Sequence, residues 1–188
     1  LFSYSDDVTW IFGGKEVEVK TFRMFNELLS FVCNTVYHKT PVMNNELFNR
    51  HKLSGSISSA RVKYLTAMLN QGNEIDFGFA KDKFPPEKTI YYSLLKHTGL
   101  HAESAFASQP SNEGIKPLWD ACEDFLASTT NKPRKISELV KLLSARPYKL
   151  KQGFLDFWIP TYLYIKKQEY SLYAVSYTHL TLPTSDLV

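Results

Sequence analysis

The sequence predicts a mainly α-helical fold, a helical bundle with a small N-terminal β-hairpin and a truncated winged-helix-like C-terminal lobe. Three observations point there. Apolar residues recur at three- and four-residue spacing in most stretches, as one face of a helix requires. Two glycines near the start separate β-prone arms. Near the end, a short helical pattern, an apolar helix and an alternating stretch follow one another. With 44% hydrophobic and 14% aromatic residues, the chain has enough apolar surface for a sizeable core.

The hairpin is predicted over Val8 to Val19, around the turn pair Gly13-Gly14. "GGK" does not make a phosphate loop. That motif needs a glycine where Thr9 stands and Ser or Thr where Glu16 stands. From Phe22 the period changes, and Phe22, Phe25, Leu29, Val32 and Val36 mark a helix that Pro41 stops. A second helix is expected over about Asn45 to Arg50. A third starts at Ser54 or Ser56, carries Ile57, Tyr64, Leu65, Met68 and Leu69, and ends near Gly72.

In "FPPEKTIYYSLLKHTGLH", Pro86 and Glu87 suit a helix start. Ile90, Tyr91, Leu94 and Leu95 form the stripe. Lys96 and His97 suit the end, and Gly99 the left-handed stop. Residues 102–113 are small, polar and patternless and read as a linker loop. The expected division is therefore 1–101, hairpin plus helical lobe; 102–113, linker; and 114–174, winged-helix-like lobe. Ile115 to Leu126 and Ile136 to Leu143 read as helices, and "NKPRK" between them as a basic surface turn. A helix from about Lys151 to Lys167 and a strand from Gln168 to Ala174 follow.

The final stretch breaks the pattern. "VSYTHLTLPT", Val175 to Thr184, resembles one translated frame of a transposon-based sequencing adaptor, so 175–188 is expected to be a non-native tail. With Leu1 rather than Met at the start, an internal piece of a larger protein is expected.

Several chemistries lack their residues. No serine sits in a nucleophile elbow, and no histidine pair has metal spacing. His38, His51, His97 and His101 are scattered and read as surface or helix-end residues. Asp120, Glu123 and Asp124 read as a solvated face. Cys33 and Cys122 lie in apolar helical patterns and read as two buried thiols in a reducing, cytoplasmic setting. No apolar run is long enough to span a bilayer.

Two stretches carry candidate contacts. "TPVMNNELFNRHKLS" concentrates polar groups, with Arg50 as a fork-shaped donor for a phosphate or a partner. On a helix, Glu46 and Arg50 would face each other, worth ~0.3 to 0.5 kcal/mol when exposed. The second, "RPYKLKQGFLDFWIPTYLYIKKQEYSLY", follows the helix-turn-helix-wing order. Its long helix is apolar nearly all round, however, unlike one that reads base edges. Lys149, Lys151, Lys166 and Lys167 are the candidates for nonspecific nucleic-acid backbone contacts. Pro160 predicts a kink or break.

These two stretches, with "FPPEKTIYYSLLKHTGLH" between them, resemble a region of very large bacterial P-loop ATPase-like proteins of BREX-like phage-defence loci. The resemblance covers about Tyr37 to Tyr173 and rests on the Asn-Glu-x-x-Asn-Arg run, the Ala-Arg helix and the Pro-Pro-Glu helix. It implies that Asn45, Glu46, Arg50 and Arg61 occupy recurrent polar positions. Arg146-Pro147-Tyr148 departs from the family's double proline. The resemblance further implies a parent protein that binds ATP and magnesium, although nothing in this chain matches a nucleotide-binding loop. The expected role is a non-catalytic helical segment that docks protein subunits or other domains of that parent or relays nucleotide state, with no cofactor and no membrane contact of its own. Nucleic-acid binding through the lysines is the alternative, and a stand-alone small enzyme the third reading.

Overall fold

The computed structural model describes residues 8–43 and 45–173. Of the expectations above, those for 175–188 and Ala174 lie outside them. The chain is mainly α-helical, with a two-stranded hairpin at its start.

Strands β1 (Trp10–Phe12) and β2 (Lys15–Val17) pair antiparallel, with Trp10 opposite Val17 and Phe12 opposite Lys15. Gly13 and Gly14 have φ of 61° and 77°, the pair of left-handed residues that a tight hairpin turn of this hand demands. Helix α1 (Phe22–Val36) is capped by the Thr21 hydroxyl, which accepts from the Met24 amide. The hairpin lies along it, with the ring centroids of Trp10 and Phe25 5.2 Å apart and those of Phe12 and Phe31 5.7 Å apart. No residue of α1 is buried. Cys33 is therefore exposed, contrary to expectation; only Cys122 is a buried thiol. The apolar period of α1 identifies a helix but not what covers its stripe.

The short helix expected over Asn45 to Arg50 is a turn instead. Asn45 competes for the backbone: its Oδ1 accepts from the Leu47 amide at 3.0 Å. Its Nδ2 donates to Ser93 Oγ at 2.9 Å, fixing the turn to a helical segment 48 positions further on. The turn drives Phe48 into the core, between Phe154 (5.7 Å) and Phe157 (5.6 Å).

Helix α2 (Gly55–Gln71) is capped by Ser54 and buries Ile57, Ala60, Tyr64, Ala67 and Met68. Leu69, expected on that face, is 63% exposed. A turn over residues 75–78 follows, and then α3 (Pro86–Tyr91), which begins with its proline in the first turn. Lys88 is buried, and its ammonium donates to the Ala80 carbonyl at 2.6 Å and sits 4.3 Å from the Phe84 ring centroid. These contacts strap residues 80–84 onto the helix.

The 102–113 segment is more ordered than a patternless loop. Strands β3 (His101–Ala102) and β4 (Ala105–Phe106) form a second small hairpin. Further on, the amides of Ser111 and Asn112 both donate to the Thr98 carbonyl. Gly99, at φ 72°, must be glycine here: a Cβ would stand 2.0 Å from Ser111 Oγ.

Helices α4 (Lys116–Ala127), α5 (Ile136–Ser144) and α6 (Gln152–Ile165) complete the fold. Helix α6 buries Phe154, Leu155, Phe157, Trp158, Ile159 and Tyr162, as expected of a helix apolar nearly all round. It runs through Pro160 without a break. One buried cluster draws on residues from both sides of 102–113, including Tyr64, Leu94, Leu118 and Phe157. After α6 the expected strand is absent among the described residues. Instead Tyr170 folds back, its hydroxyl donating to the Leu163 carbonyl at 2.9 Å. The helix-turn-helix order therefore has no wing strand among the described residues.

Candidate functional site

Several of the residues singled out from the sequence, Asn45, Arg61, Lys151 and Lys166 among them, are engaged in holding the fold together. Asn45 is buried and fully used by the turn. Glu46 is exposed, and Arg50 donates from Nε to its backbone carbonyl at 3.0 Å rather than to its carboxylate. The expected i, i+4 ion pair does not form because those residues are not helical. Arg61 joins α2 to α6 through Asp156, at 3.1 Å.

Two of the four lysines are committed to other groups. Lys151 donates to the Asn49 carbonyl at 3.1 Å. Lys166 is buried and paired with Glu123 (2.9 Å) and Glu169 (3.1 Å), with its ammonium over the Trp119 ring. Its charge is already balanced, which leaves little for a phosphate. Glu123, expected on a solvated face, thus has two partners, since it also accepts from the Tyr162 hydroxyl at 3.1 Å. Lys149 and Lys167 are exposed.

The most organised polar cluster was not anticipated. It centres on Asp76, in the turn after α2. Asp76 (φ 51°) and Phe77 (φ 54°) are left-handed without being glycine, and Gly78 (φ 67°) continues the run. Such backbone costs of order 1 kcal/mol or more per residue and needs surroundings that enforce it. Phe77, fully buried, packs 4.6 Å from Tyr91 and 4.8 Å from His101 between ring centroids.

The opposite wall comes from the end of α3. The helix widens there into a π turn over Tyr92–Lys96, with the His97 amide donating to the Tyr92 carbonyl at 2.8 Å. Three side chains of this stretch converge on one carboxylate. Lys96 Nζ donates to Oδ1 at 2.6 Å, the Tyr92 hydroxyl to Oδ2 at 2.9 Å, and the Tyr91 hydroxyl lies 3.3 Å from Oδ1. Beyond Tyr91 stands His101, only 1% exposed, with Nδ1 2.8 Å from the Tyr91 hydroxyl and Nε2 3.0 Å from the Gly72 carbonyl. The expectation of a surface His101 is thereby corrected: its partners come from 10 and 29 positions earlier in the chain.

Electrostatics follow from this arrangement. Burial alone would raise the Asp76 carboxyl, but hydrogen bonds from Lys96, Tyr92 and Tyr91 and the Lys96 charge outweigh it and hold the group below its ordinary value. The hydrogen bond to Asp76 raises Lys96. Burial, then the Asp76 charge, push Tyr91 up. Burial pulls His101 down, against the Gly72 hydrogen bond and Asp76. The cluster is a hydrogen-bonded chain of titratable groups running from the exposed Lys96 through the Asp76 carboxylate to a buried imidazole. Its one legible signal is "EIDFGF", where Asp and Gly, both tolerant of left-handed backbone, fall between two helices.

Open grooves run along α1, lined by Phe22, Arg23, Asn26, Glu27 and Ser30, and along α2, lined by residues that include Val62, Lys63 and Phe79. Neither includes Asp76. Among the described residues no group of three or more His, Cys, Asp or Glu side chains is placed to hold a metal, and no helix is long and apolar enough to cross a membrane. No family model matches the chain, and no curated protein or solved structure matches it.

Proposed function

We propose that this chain is a non-catalytic helical interaction segment of a larger, cytoplasmic ATP-binding protein with a role in antiviral defence. The observation that carries the docking role is the outward face of α1. Leu29 and Cys33 stand four residues apart and so share one face. Leu29 is 44% exposed, Cys33 is exposed, and the helix sends no residue into the core. The hairpin covers one part of the helix's apolar surface, and the part around Leu29 and Cys33 that it leaves outward is matched to a protein surface that can cover it. The ATP-binding parent and the defence setting rest on the sequence resemblance, and in that setting the occupant is another domain or subunit of the parent assembly.

Cys33 lies on the same face, which makes the test direct. A thiol-reactive photo-cross-linker on Cys33, in the intact parent protein, is expected to capture a protein surface. Leu29→Lys is expected to reduce that capture by tenfold or more, on the order of 1.4 kcal/mol, without disturbing the core. Equal capture in the variant, or none in either protein, would overturn the reading. The lysine-based alternative has less support, because two of its four members are tied to other residues.

A further inference from the structure

In the Asp76 cluster, a neutral His101 leaves one hydrogen for two acceptors. The Gly72 carbonyl can only accept, so His101 Nε2, 3.0 Å away, carries a hydrogen. In the neutral ring Nδ1 is then a bare acceptor, 2.8 Å from the Tyr91 hydroxyl. Tyr91 owns one hydrogen, yet Asp76 Oδ1 also faces it at 3.3 Å. Adding one proton at Nδ1 resolves the competition. Nδ1–H then donates to the Tyr91 oxygen, and the Tyr91 hydroxyl is released to donate to Asp76.

We propose that His101, Tyr91 and Asp76 form a proton-responsive switch. Uptake of a proton from solvent at His101 Nδ1 turns the Tyr91 hydroxyl from His101 to Asp76 and tightens the 75–78 turn against the π turn. One N–H bond forms at Nδ1 as an O–H bond of hydronium breaks and releases water; otherwise only hydrogen bonds rearrange. The parts are built to couple. Asp76 sits in left-handed backbone that its contacts must hold, while His101 ties the end of α2 to β3. Among the described residues, the following groups face the imidazole. Tyr91 comes from α3, with Tyr92 and Lys96 beyond it on the same carboxylate. Phe77 comes from the turn and Phe106 from β4, each with its ring centroid 4.8 Å away. Tyr164 of α6 stands behind Phe106, at 5.3 Å between centroids. The carboxylate of Asp76 supplies the balancing charge through Tyr91, while burial sets the switch below the ordinary histidine range.

The test is a pH titration of the 188-residue chain by nuclear magnetic resonance of the His101 ring and the Tyr91 Cζ. At neutral pH the Nε2–H tautomer is expected. On acidification the Tyr91 signal should titrate together with His101. Asp76→Asn, whose asparagine tolerates the left-handed backbone, should shift the His101 midpoint downward, and that shift should shrink on a Tyr91→Phe background. An Nδ1–H tautomer at neutral pH, or a Tyr91 signal indifferent to His101, would overturn the proposal from the unmodified chain alone. An equal Asp76→Asn shift in both backgrounds would also overturn it, because it would mean charge acting through space and not a relay.

Discussion

The hydroxyls of Tyr64 and Thr161 meet 2.8 Å apart inside the core, joining α2 to α6 across 97 positions of sequence. Thr161 spends its own hydrogen on the Phe157 carbonyl at 2.7 Å, so Tyr64 is the donor between them. Thr161→Val therefore strands a buried phenol, at a cost of about 1 to 3 kcal/mol. Tyr64→Phe removes only the donor and costs about 0.5 to 1.5 kcal/mol. The double variant should be more stable than the sum of the two losses predicts. Urea unfolding of the four proteins checks the ordering; a Tyr64→Phe loss larger than that of Thr161→Val would reverse the donor assignment.

Acid should weaken the fold in two steps. The folded value of His101 is depressed, so between its ordinary value and that depressed one the unfolded chain binds more protons and stability falls. Asp76 is depressed as well: its contribution is present above the ordinary carboxylate value and is lost as pH falls through the lower folded value. Asp76→Asn should shrink the second step in a stability–pH curve measured by chemical denaturation, leaving the part that other depressed carboxyls such as Glu138 contribute. A curve unchanged in the carboxylate range would exclude this role for Asp76.

The two thiols should differ sharply. Cys33 is exposed, whereas Cys122 is buried under the Trp158 Nε1 at 3.4 Å, and burial pushes its thiol up to about 12. A thiolate is the reactive form. One equivalent of a disulfide reagent should react with the native chain and a second only on unfolding. Two equivalents under native conditions would mean that α4 and α6 are not packed as described.

Core and surface helices should respond unequally to truncation. Phe157 is completely buried, and Phe157→Ala is expected to cost about 3 to 5 kcal/mol. Leu29→Ala, on the exposed stripe of α1, should stay within about 0.5 kcal/mol in the isolated chain. Thermal unfolding of both variants gives the comparison, and a large Leu29→Ala loss would place α1 in the core.

What was legible in the sequence was mostly local. Ser54 and Pro86 mark helix starts because capping and first-turn proline geometry depend on a few adjacent residues. The apolar run of α6 announced its own burial. The helix expected at Asn45 failed because Ser93, 48 positions away, rewards the asparagine for making a turn. Cys33 and Cys122 share the same period, and only the surroundings of α1 and α4 separate them. The Asp76 cluster was hidden for the same reason: a π turn brings Tyr91, Tyr92 and Lys96 to one carboxylate, and no spacing rule for regular helices foresees that.

The tryptophans are distributed so that ultraviolet emission can be read region by region. Trp119 and Trp158 are both sealed in the core, edge to face at 6.3 Å, whereas Trp10 stands half-exposed in the first hairpin. Replacing Trp10 with phenylalanine leaves an optical probe of the interior alone. Replacing the interior pair instead leaves a single indole that reports when the hairpin lifts from α1, so the chain carries its own two-channel sensor without an added dye.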